Sequence, residues 1–150
     1  MNSITPFLWF ENQAEEAAKF YVSLFKNSKI LETRRYPENY TAVVFQLDGQ
    51  KYIAFNGGPQ EKLTPAFSFF VMVKTQRELD TLWAKLAKGG KPIACGWLTD
   101  RYGMCWQIIP EIMDKLMLDK DAAKAKRVWS AMIKMVKIDI KKIKEAAREP

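Results

Sequence analysis

Residues 67–78, FSFFVMVKTQRE, decide the fold, because they repeat a pattern already used near the start of the chain. Their aromatic and β-branched residues predict a strand, and Thr75 with Glu78 three positions later is a capping-box spacing that predicts a helix start. The earlier copy is residues 4–10, followed by Asn12 and Glu15 at the same spacing. Thr75 lies 63 positions after Asn12, which indicates an internal duplication.

Each copy continues in the same way. After the first helix, whose predicted buried face carries Ala14, Ala17, Ala18, Tyr21, Leu24 and Phe25, strands are predicted at residues 30–36, 41–47 and 52–56. The second helix ends at Gly89 and Gly90, and extended segments are predicted at residues 92–97 and 104–109, around a turn at residues 100–103. The predicted fold class is therefore α+β, with one domain at residues 1–110 made of two β-α-β-β-β modules (1–59 and 60–110). Residues 111–150 are predicted to be a helical extension of that domain.

The chain contains no histidine, which excludes Ser-His-Asp and Cys-His nucleophile systems, HExxH zinc sites and histidine proton shuttles within it. Cys95 and Cys105 are too few for a structural zinc site, and we interpret them as ordinary reduced strand residues. No segment reaches the roughly 18 apolar residues that span a bilayer, and residues 1–10 lack signal-peptide features. We expect a cytoplasmic protein with no membrane partner.

The chain is basic, with 24 Lys and Arg against 17 Asp and Glu. Part of this excess lies after Pro110, where basic and acidic residues are interleaved. We interpret that segment as the solvated side of amphipathic helices. The alternative is a nucleic-acid-binding arm, which usually has denser basic blocks and binds in a strongly salt-dependent way.

Five segments together resemble one protein family. They are residues 4–10 with 13–21 (ITPFLWF, QAEEAAKFY), 56–59 (NGGP), 95–103 (CGWLTDRYG) and 106–110 (WQIIP). The chain resembles the PhnB-like, or demethylubiquinone methyltransferase-like, branch of the glyoxalase/bleomycin-resistance (vicinal oxygen chelate) superfamily. The resemblance implies paired βαβββ modules curled into a U-shaped half-barrel around a cup, and a homodimer.

The resemblance also implies where a divalent ion would be held, because metal-dependent members chelate it from the first and last strands of each module. Those places fall on Pro6 (or Thr5), Asn56, Ser68 and Gln107 here. None is an imidazole or a carboxylate, and neutral oxygens are weak ligands for transition ions. We therefore predict no tightly bound metal, and a polar floor for an organic ligand in its place.

The predicted pocket adds aromatic walls to that floor. Candidate walls are Trp9, Phe45, Phe55, Phe70, Trp97, Tyr102 and Trp106, and the alternative for each is a place in the core. The predicted ligand-binding residues are Pro6, Trp9, Asn56, Ser68, Trp97, Tyr102, Trp106 and Gln107.

The glycine pairs do not predict a cofactor site. Neither Gly57–Gly58 nor Gly89–Gly90 opens a helix as a nucleotide-type methyl-donor site requires, so no cofactor is expected. The predicted function is binding of a small organic molecule. The alternative is a superfamily lyase, isomerase or dioxygenase that uses a weakly held cation.

Overall fold

A computed structural model describes residues 2–148 of the chain, which divide into two compact units between Leu63 and Thr64. The elements of the first unit are β1 (Phe7–Phe10), α1 (Ala14–Leu24), β2 (Lys29–Arg35), a 3-10 turn (Pro37–Asn39), β3 (Thr41–Leu47) and β4 (Gln50–Asn56). The strands form one sheet, sheet one, in the order β1-β4-β3-β2. β1 is parallel to β4, and the other neighbours are antiparallel.

The helix α1 covers one face of sheet one. The Tyr21 ring of α1 lies 6.4 Å from the Phe45 ring of β3, centroid to centroid. Strand alternation and register put Leu8 and Ala54 on this same face, where each is at most 3% exposed. We call the other face, which carries Phe55, the open face of sheet one.

The start of α1 differs from the sequence prediction. The helix begins at Ala14, and its N-cap residue Gln13 makes no side-chain capping bond, so the capping box predicted at Asn12 is wrong. The Oδ1 atom of Asn56 accepts a hydrogen bond of 2.7 Å from the Ala14 backbone N–H instead. A residue 42 positions away thus satisfies an amide that the helix itself leaves unpaired. Leu24 and Phe25, predicted to be buried, are half-buried.

The second unit repeats the arrangement and adds helices. Its elements are β5 (Ser68–Val73), α2 (Gln76–Ala87), β6 (Lys91–Pro92), β7 (Trp97–Thr99), β8 (Cys105–Pro110), α3 (Glu111–Met117), α4 (Ala122–Met132) and α5 (Ile140–Arg148). Sheet two has the order β5-β8-β7-β6, with β5 parallel to β8. The capping box predicted at α2 is confirmed, because Thr75 and Glu78 each accept a hydrogen bond of 3.2 Å from the other's backbone N–H.

The extended segment predicted at residues 92–97 is instead two strands separated by a loop. Cys95 and Gly96 have φ values of 56° and 84° in that loop, which no strand allows. Their backbone N–H groups donate to the carbonyls of Met135 and Val136, both at 2.8 Å. The loop therefore pairs with the C-terminal segment, and only the folded chain brings the two together.

The C-terminal helices pack against one another, and the start of α5 is hydrogen-bonded to α2. Arg127 of α4 donates to the Ala146 and Ala147 carbonyls of α5, both at 3.1 Å. At the start of α5, the Gln76 side chain donates to the Ile138 carbonyl at 3.1 Å and accepts from Ile140 N–H at 2.8 Å. These bonds tie residues 138–148 to the rest of the second unit.

The α+β class, the two βαβββ modules and the C-terminal helices are confirmed. The predicted extension runs to residue 150, of which residues 149–150 lie outside the described part of the chain. Over residues 2–148, we find no helix with both the length and the apolar character needed to cross a membrane.

Candidate ligand-binding site

The strand register aligns a row of side chains across the open face of sheet one. Arg34 on β2 pairs with Ala42 on β3, Ala42 pairs with Phe55 on β4, and Phe55 pairs with Trp9 on β1. Paired residues of neighbouring strands project to the same side of a sheet. The order across the open face is therefore Arg34, Ala42, Phe55, Trp9.

A β-bulge in β2 brings Arg34 to this face. The pairing of β2 with β3 shifts by one residue between Ile30 and Glu32. Without the shift, Thr33 would pair with Ala42 and Arg34 would point toward α1, since side chains alternate along a strand. Bulges are often found next to functional sites, where they redirect a side chain in this way.

Aromatic rings surround Phe55. Its ring centroid lies 5.3 Å from that of Phe7, 5.4 Å from that of Trp9 and 5.7 Å from that of Tyr40. Phe7 is 55% exposed and Tyr40 is 40% exposed, although burial of such rings would stabilise the fold. An exposed cluster of this kind is typical of a ligand or partner site.

A cavity of about 330 Å³, which we call the aromatic groove, opens among these rings. Its lining residues are Phe7, Arg34, Tyr36, Tyr40, Ala42, Ile53 and Phe55. Sites for small molecules usually measure about 300–1,000 Å³. Arg34 is the charged residue of the lining, and its guanidinium lies 3.0 Å from the Glu32 carboxylate. Hydrogen bonds to Glu32 and then Tyr36 raise the pKa of Arg34, which stays charged.

A strained turn holds the two tyrosines of the aromatic groove. The Tyr36 backbone N–H donates to the Tyr40 carbonyl at 2.9 Å. Between them, Glu38 and Asn39 have φ values of 59° and 66°. This left-handed conformation costs a residue such as Glu38 about 1–2 kcal/mol, whereas asparagine adopts it more readily. Backbone strain of this kind persists only where the surrounding structure imposes it, and it is often found at segments that hold a ligand.

Trp9 lies at the edge of the open face of sheet one, and Pro6 just precedes β1. The Trp9 indole N–H donates to the Gly58 carbonyl at 2.9 Å, and the ring lies over Gly57, where an added Cβ would be 2.3 Å from it. The Pro6 carbonyl accepts from Ile53 N–H at 3.0 Å. The Pro6 ring itself has no polar atom to offer a ligand.

Asn56 does not face the open side of sheet one. It pairs with Phe10 on the face that α1 covers, and its Oδ1 atom is bonded to Ala14 N–H. The expectation that Asn56 belongs to the polar floor is corrected by the register, which puts the neighbouring Phe55 on the open face.

Sheet two has an open face of its own. Gln107 on β8 pairs with Phe70 on β5 and with Trp97 on β7, so these three side chains share a face. The Gln107 amide Nε2 donates to the Ser68 hydroxyl at 2.9 Å. Phe70 and Met72 are each 52% exposed there. Three predicted pocket residues, Ser68, Trp97 and Gln107, therefore lie together on the open face of sheet two.

Trp106 and Tyr102 are buried instead, at 1% and 8% exposure. Trp106 lies on the opposite face of sheet two, with its ring 4.6 Å from that of Phe69 and its indole N–H donating to Asp100 Oδ2 at 2.8 Å. Asp100 Oδ1 accepts from the backbone N–H groups of Tyr102 and Met104, at 2.8 and 3.1 Å. These bonds shape the turn predicted at residues 100–103.

The four places that the family resemblance assigns to metal ligands do not fit a tightly bound ion. Pro6 has no side-chain donor atom, Asn56 Oδ1 is bonded to α1, and the Ser68 hydroxyl accepts from Gln107. Within residues 2–148, no three His, Cys, Asp or Glu side chains are grouped as metal ligands. Cys105 is fully buried, and burial raises the pKa of its thiol, which disfavours the thiolate that a metal would need.

Sequence reasoning missed Arg34, Tyr36 and Tyr40. One usable signal was the pair of tyrosines that flank Pro37–Asn39, because Pro and Asn favour a tight turn that brings its ends together. The side to which Arg34 points was not predictable, since it depends on the bulge.

Solved structures provide relatives of the fold. A PhnB protein from Bacillus cereus is 36% identical and has a TM-score of 0.67, over 73% of this chain and 99% of that one. A protein from Pseudomonas aeruginosa is 20% identical, with a TM-score of 0.62 over 74% of this chain and 98% of the other. The fosfomycin resistance protein FosX from Listeria monocytogenes is 11% identical, with a TM-score of 0.55 over 73% and 91% of the two chains. The last two similarities concern the fold alone.

Comparison with curated proteins gives no match. The profile of the family described as 3-demethylubiquinone-9 3-methyltransferase matches residues 2–109, which include both βαβββ modules and stop before the C-terminal helices. Together with the similarity to the Bacillus cereus protein, this match shows that the chain belongs to that family, the PhnB-like branch of the glyoxalase/bleomycin-resistance superfamily.

Proposed function

We propose that this protein binds a small organic molecule on the open faces of its βαβββ sheets and that it does so without a tightly held metal ion. The observation that carries the proposal is the aromatic groove on sheet one. A concave, mostly apolar site with a few polar groups is the usual form of a small-molecule site. Phe7 and Tyr40 keep apolar ring surface exposed there, which a ligand would cover.

The open face of sheet two supports the same proposal. Ser68 and Gln107 bring a hydroxyl and an amide next to the exposed ring of Phe70 and the half-buried ring of Trp97. An amide has two donors and one acceptor oxygen, and the bond to Ser68 uses one donor. The other amide N–H and the amide oxygen of Gln107 can orient a ligand.

Binding can be tested by NMR titration of the full chain with a library of small aromatic and polar fragments. We expect shifts of backbone amide signals on strands β2–β4 or β5–β8. Gln107→Ala should weaken fragments that bind sheet two and leave the stability nearly unchanged, because Gln107 is partly exposed. A library without a single binder on either open face would refute the proposal.

Independence from metal is tested separately, by thermal shift and by metal analysis of protein purified without chelators. A ligand at about 100 times its Kd stabilises the folded state by about 2.7 kcal/mol. We expect no such stabilisation by Zn²⁺, Ni²⁺, Mn²⁺ or Mg²⁺. Stoichiometric bound metal, or a clear thermal shift with one ion, would favour a superfamily enzyme that uses a divalent cation.

We also propose that the protein is a cytoplasmic homodimer. The family resemblance supports the dimer, and the unpaired state of Cys95 and Cys105 is compatible with a reducing compartment. Sedimentation equilibrium at micromolar concentration and cell fractionation test the two statements, and a monomer or a membrane-bound pool would contradict them.

A further inference from the structure

We propose that the aromatic groove selects a planar aromatic carboxylate, with the ring held against Tyr40 and Phe55 and the carboxylate bound by Arg34. This inference rests on the proposed function, since it names the ligand class for one of the two open faces. It depends on three separate features of the first unit: the bulge, the strained turn and the neighbourhood of Arg34.

The bulge accounts for the charge in the aromatic groove. The shift between Ile30 and Glu32 places Arg34, rather than Thr33, opposite Ala42. A regular strand would have left this apolar face without the guanidinium. The next residue, Arg35, points to the other side, where it donates to Glu15 of α1 and to the Thr41 hydroxyl. Two adjacent arginines are thus divided between the two faces, and only Arg34 lines the groove.

The neighbourhood of Arg34 favours a singly charged, planar anion. A guanidinium has five N–H donors in a fixed plane and matches a carboxylate in two parallel hydrogen bonds. Glu32 and Tyr36 engage part of that plane. A dianion such as a phosphate would face stronger repulsion from the Glu32 carboxylate, 3.0 Å from Arg34, than a monoanion would.

The strained turn positions the tyrosines that favour an aromatic ring in the ligand. Glu38 and Asn39, at φ 59° and 66°, close the turn that sets Tyr36 and Tyr40 on one edge of the aromatic groove. The Tyr40 ring is nearly parallel to that of Phe55, at 12°. A flat ring that enters the groove meets the faces and edges of several rings, an arrangement that stabilises aromatic pairs beyond simple burial.

The test uses three probes on the full chain, with binding followed by NMR titration: 2-naphthoate, the neutral 2-naphthamide and the non-planar cyclohexanecarboxylate. We expect 2-naphthoate to shift amide signals of residues 34–42. It should bind at least about tenfold more tightly than 2-naphthamide, which lacks the charge that Arg34 would bind, and than cyclohexanecarboxylate, which lacks the flat ring. Arg34→Gln should remove the preference of naphthoate over naphthamide. Arg35→Gln, the matched control on the opposite face, should leave it unchanged, and Tyr40→Leu should weaken both naphthyl probes.

The failures of the two proposals are distinguishable. Equal binding of naphthoate and naphthamide, or an unchanged preference in Arg34→Gln, overturns the aromatic carboxylate and leaves small-molecule binding intact. Fragments that bind sheet two without shifting the amide signals of residues 34–42 would also overturn the aromatic carboxylate and leave small-molecule binding intact. If naphthoate does not bind and Arg34→Gln changes the sedimentation of the protein, the aromatic groove is an interface between copies of the chain, and the inference fails.

Discussion

Replacing Asp100 by Asn should destabilise the protein by about 2 kcal/mol, because it breaks one bond of a buried network in which the acceptor is charged. Asp100 is 4% exposed. One of its carboxylate oxygens accepts from two backbone N–H groups, and the other accepts from the Trp106 indole. An asparagine keeps a single accepting oxygen, so its NH₂ group must face one of these donors.

The magnitude comes from the geometry of that network. The indole bond is 2.8 Å long and lies in the core, where Trp106 is 1% exposed. A buried hydrogen bond to a charged group contributes about 1.5–3 kcal/mol. In a chain of 150 residues, a loss of about 2 kcal/mol lowers Tm by roughly 4–8 °C, at about 2–4 °C per kcal/mol.

A double-mutant cycle separates this bond from other effects of the substitution. The free energy of unfolding is measured in urea by far-UV circular dichroism for the wild type, Asp100→Asn, Trp106→Phe and the double variant. In the Trp106→Phe background, Asp100→Asn should cost less than half as much. Asp48→Asn, at an exposed turn position with φ 46°, is the control and should change stability by less than about 0.5 kcal/mol. Equal costs of Asp100→Asn in both backgrounds would refute the reasoning.

Three further changes test the caps and the strained turn. Asn56→Ala removes the acceptor for Ala14 N–H and should lower the free energy of unfolding by about 1 kcal/mol, measured in urea; an unchanged value would mean that the bond does not cap α1 in solution. Glu38→Gly relieves a left-handed conformation and should raise that free energy by about 1 kcal/mol, and a loss would contradict the assigned strain. The Glu78 carboxylate accepts from two backbone N–H groups, which hold its pKa below the ordinary value of 4.5. The stabilisation by the Glu78 charge is therefore complete above pH 4.5 and is lost as the pH falls through the lower pKa of the folded state. Glu78→Gln should lower Tm at pH 7 more than at pH 3. An equal loss of Tm at both pH values would mean that the carboxylate charge does not stabilise the fold.

The predictable part of the fold is the part that short-range patterns encode. The Thr75 and Glu78 capping box needs only three residues of separation, and it is present. The same spacing at Asn12 is misleading, because the N–H group that it would satisfy is bonded by Asn56 from the far end of the module. Residues 92–97 were misread for a similar reason, since the loop within them is bonded to Met135 and Val136.

The candidate site was less predictable than the fold, because the face of the sheet to which each side chain points depends on the strand register. A side-chain period of two makes every assignment to a face sensitive to a one-residue shift. The family resemblance pointed to Asn56, and the register selects its neighbour Phe55. Arg34 was not predicted at all, because the bulge that turns it to the open face leaves no clear mark in the sequence. Ser68 and Gln107, assigned through the family resemblance, do come together.

The two modules have the same βαβββ order, yet within residues 2–148 only the first has an edge strand long enough for an aromatic groove of this kind. β2 has seven residues, enough for a bulge and for a guanidinium beyond it, whereas its counterpart β6 has two. In the second module, the loop after β6 is instead hydrogen-bonded to residues 135–136, which lie beyond the residues that the family profile matches. The open faces of the two modules therefore differ: charge and exposed aromatic surface lie together on sheet one, while sheet two has the neutral pair Ser68 and Gln107. Selection of an anionic ligand would therefore rest on the first module.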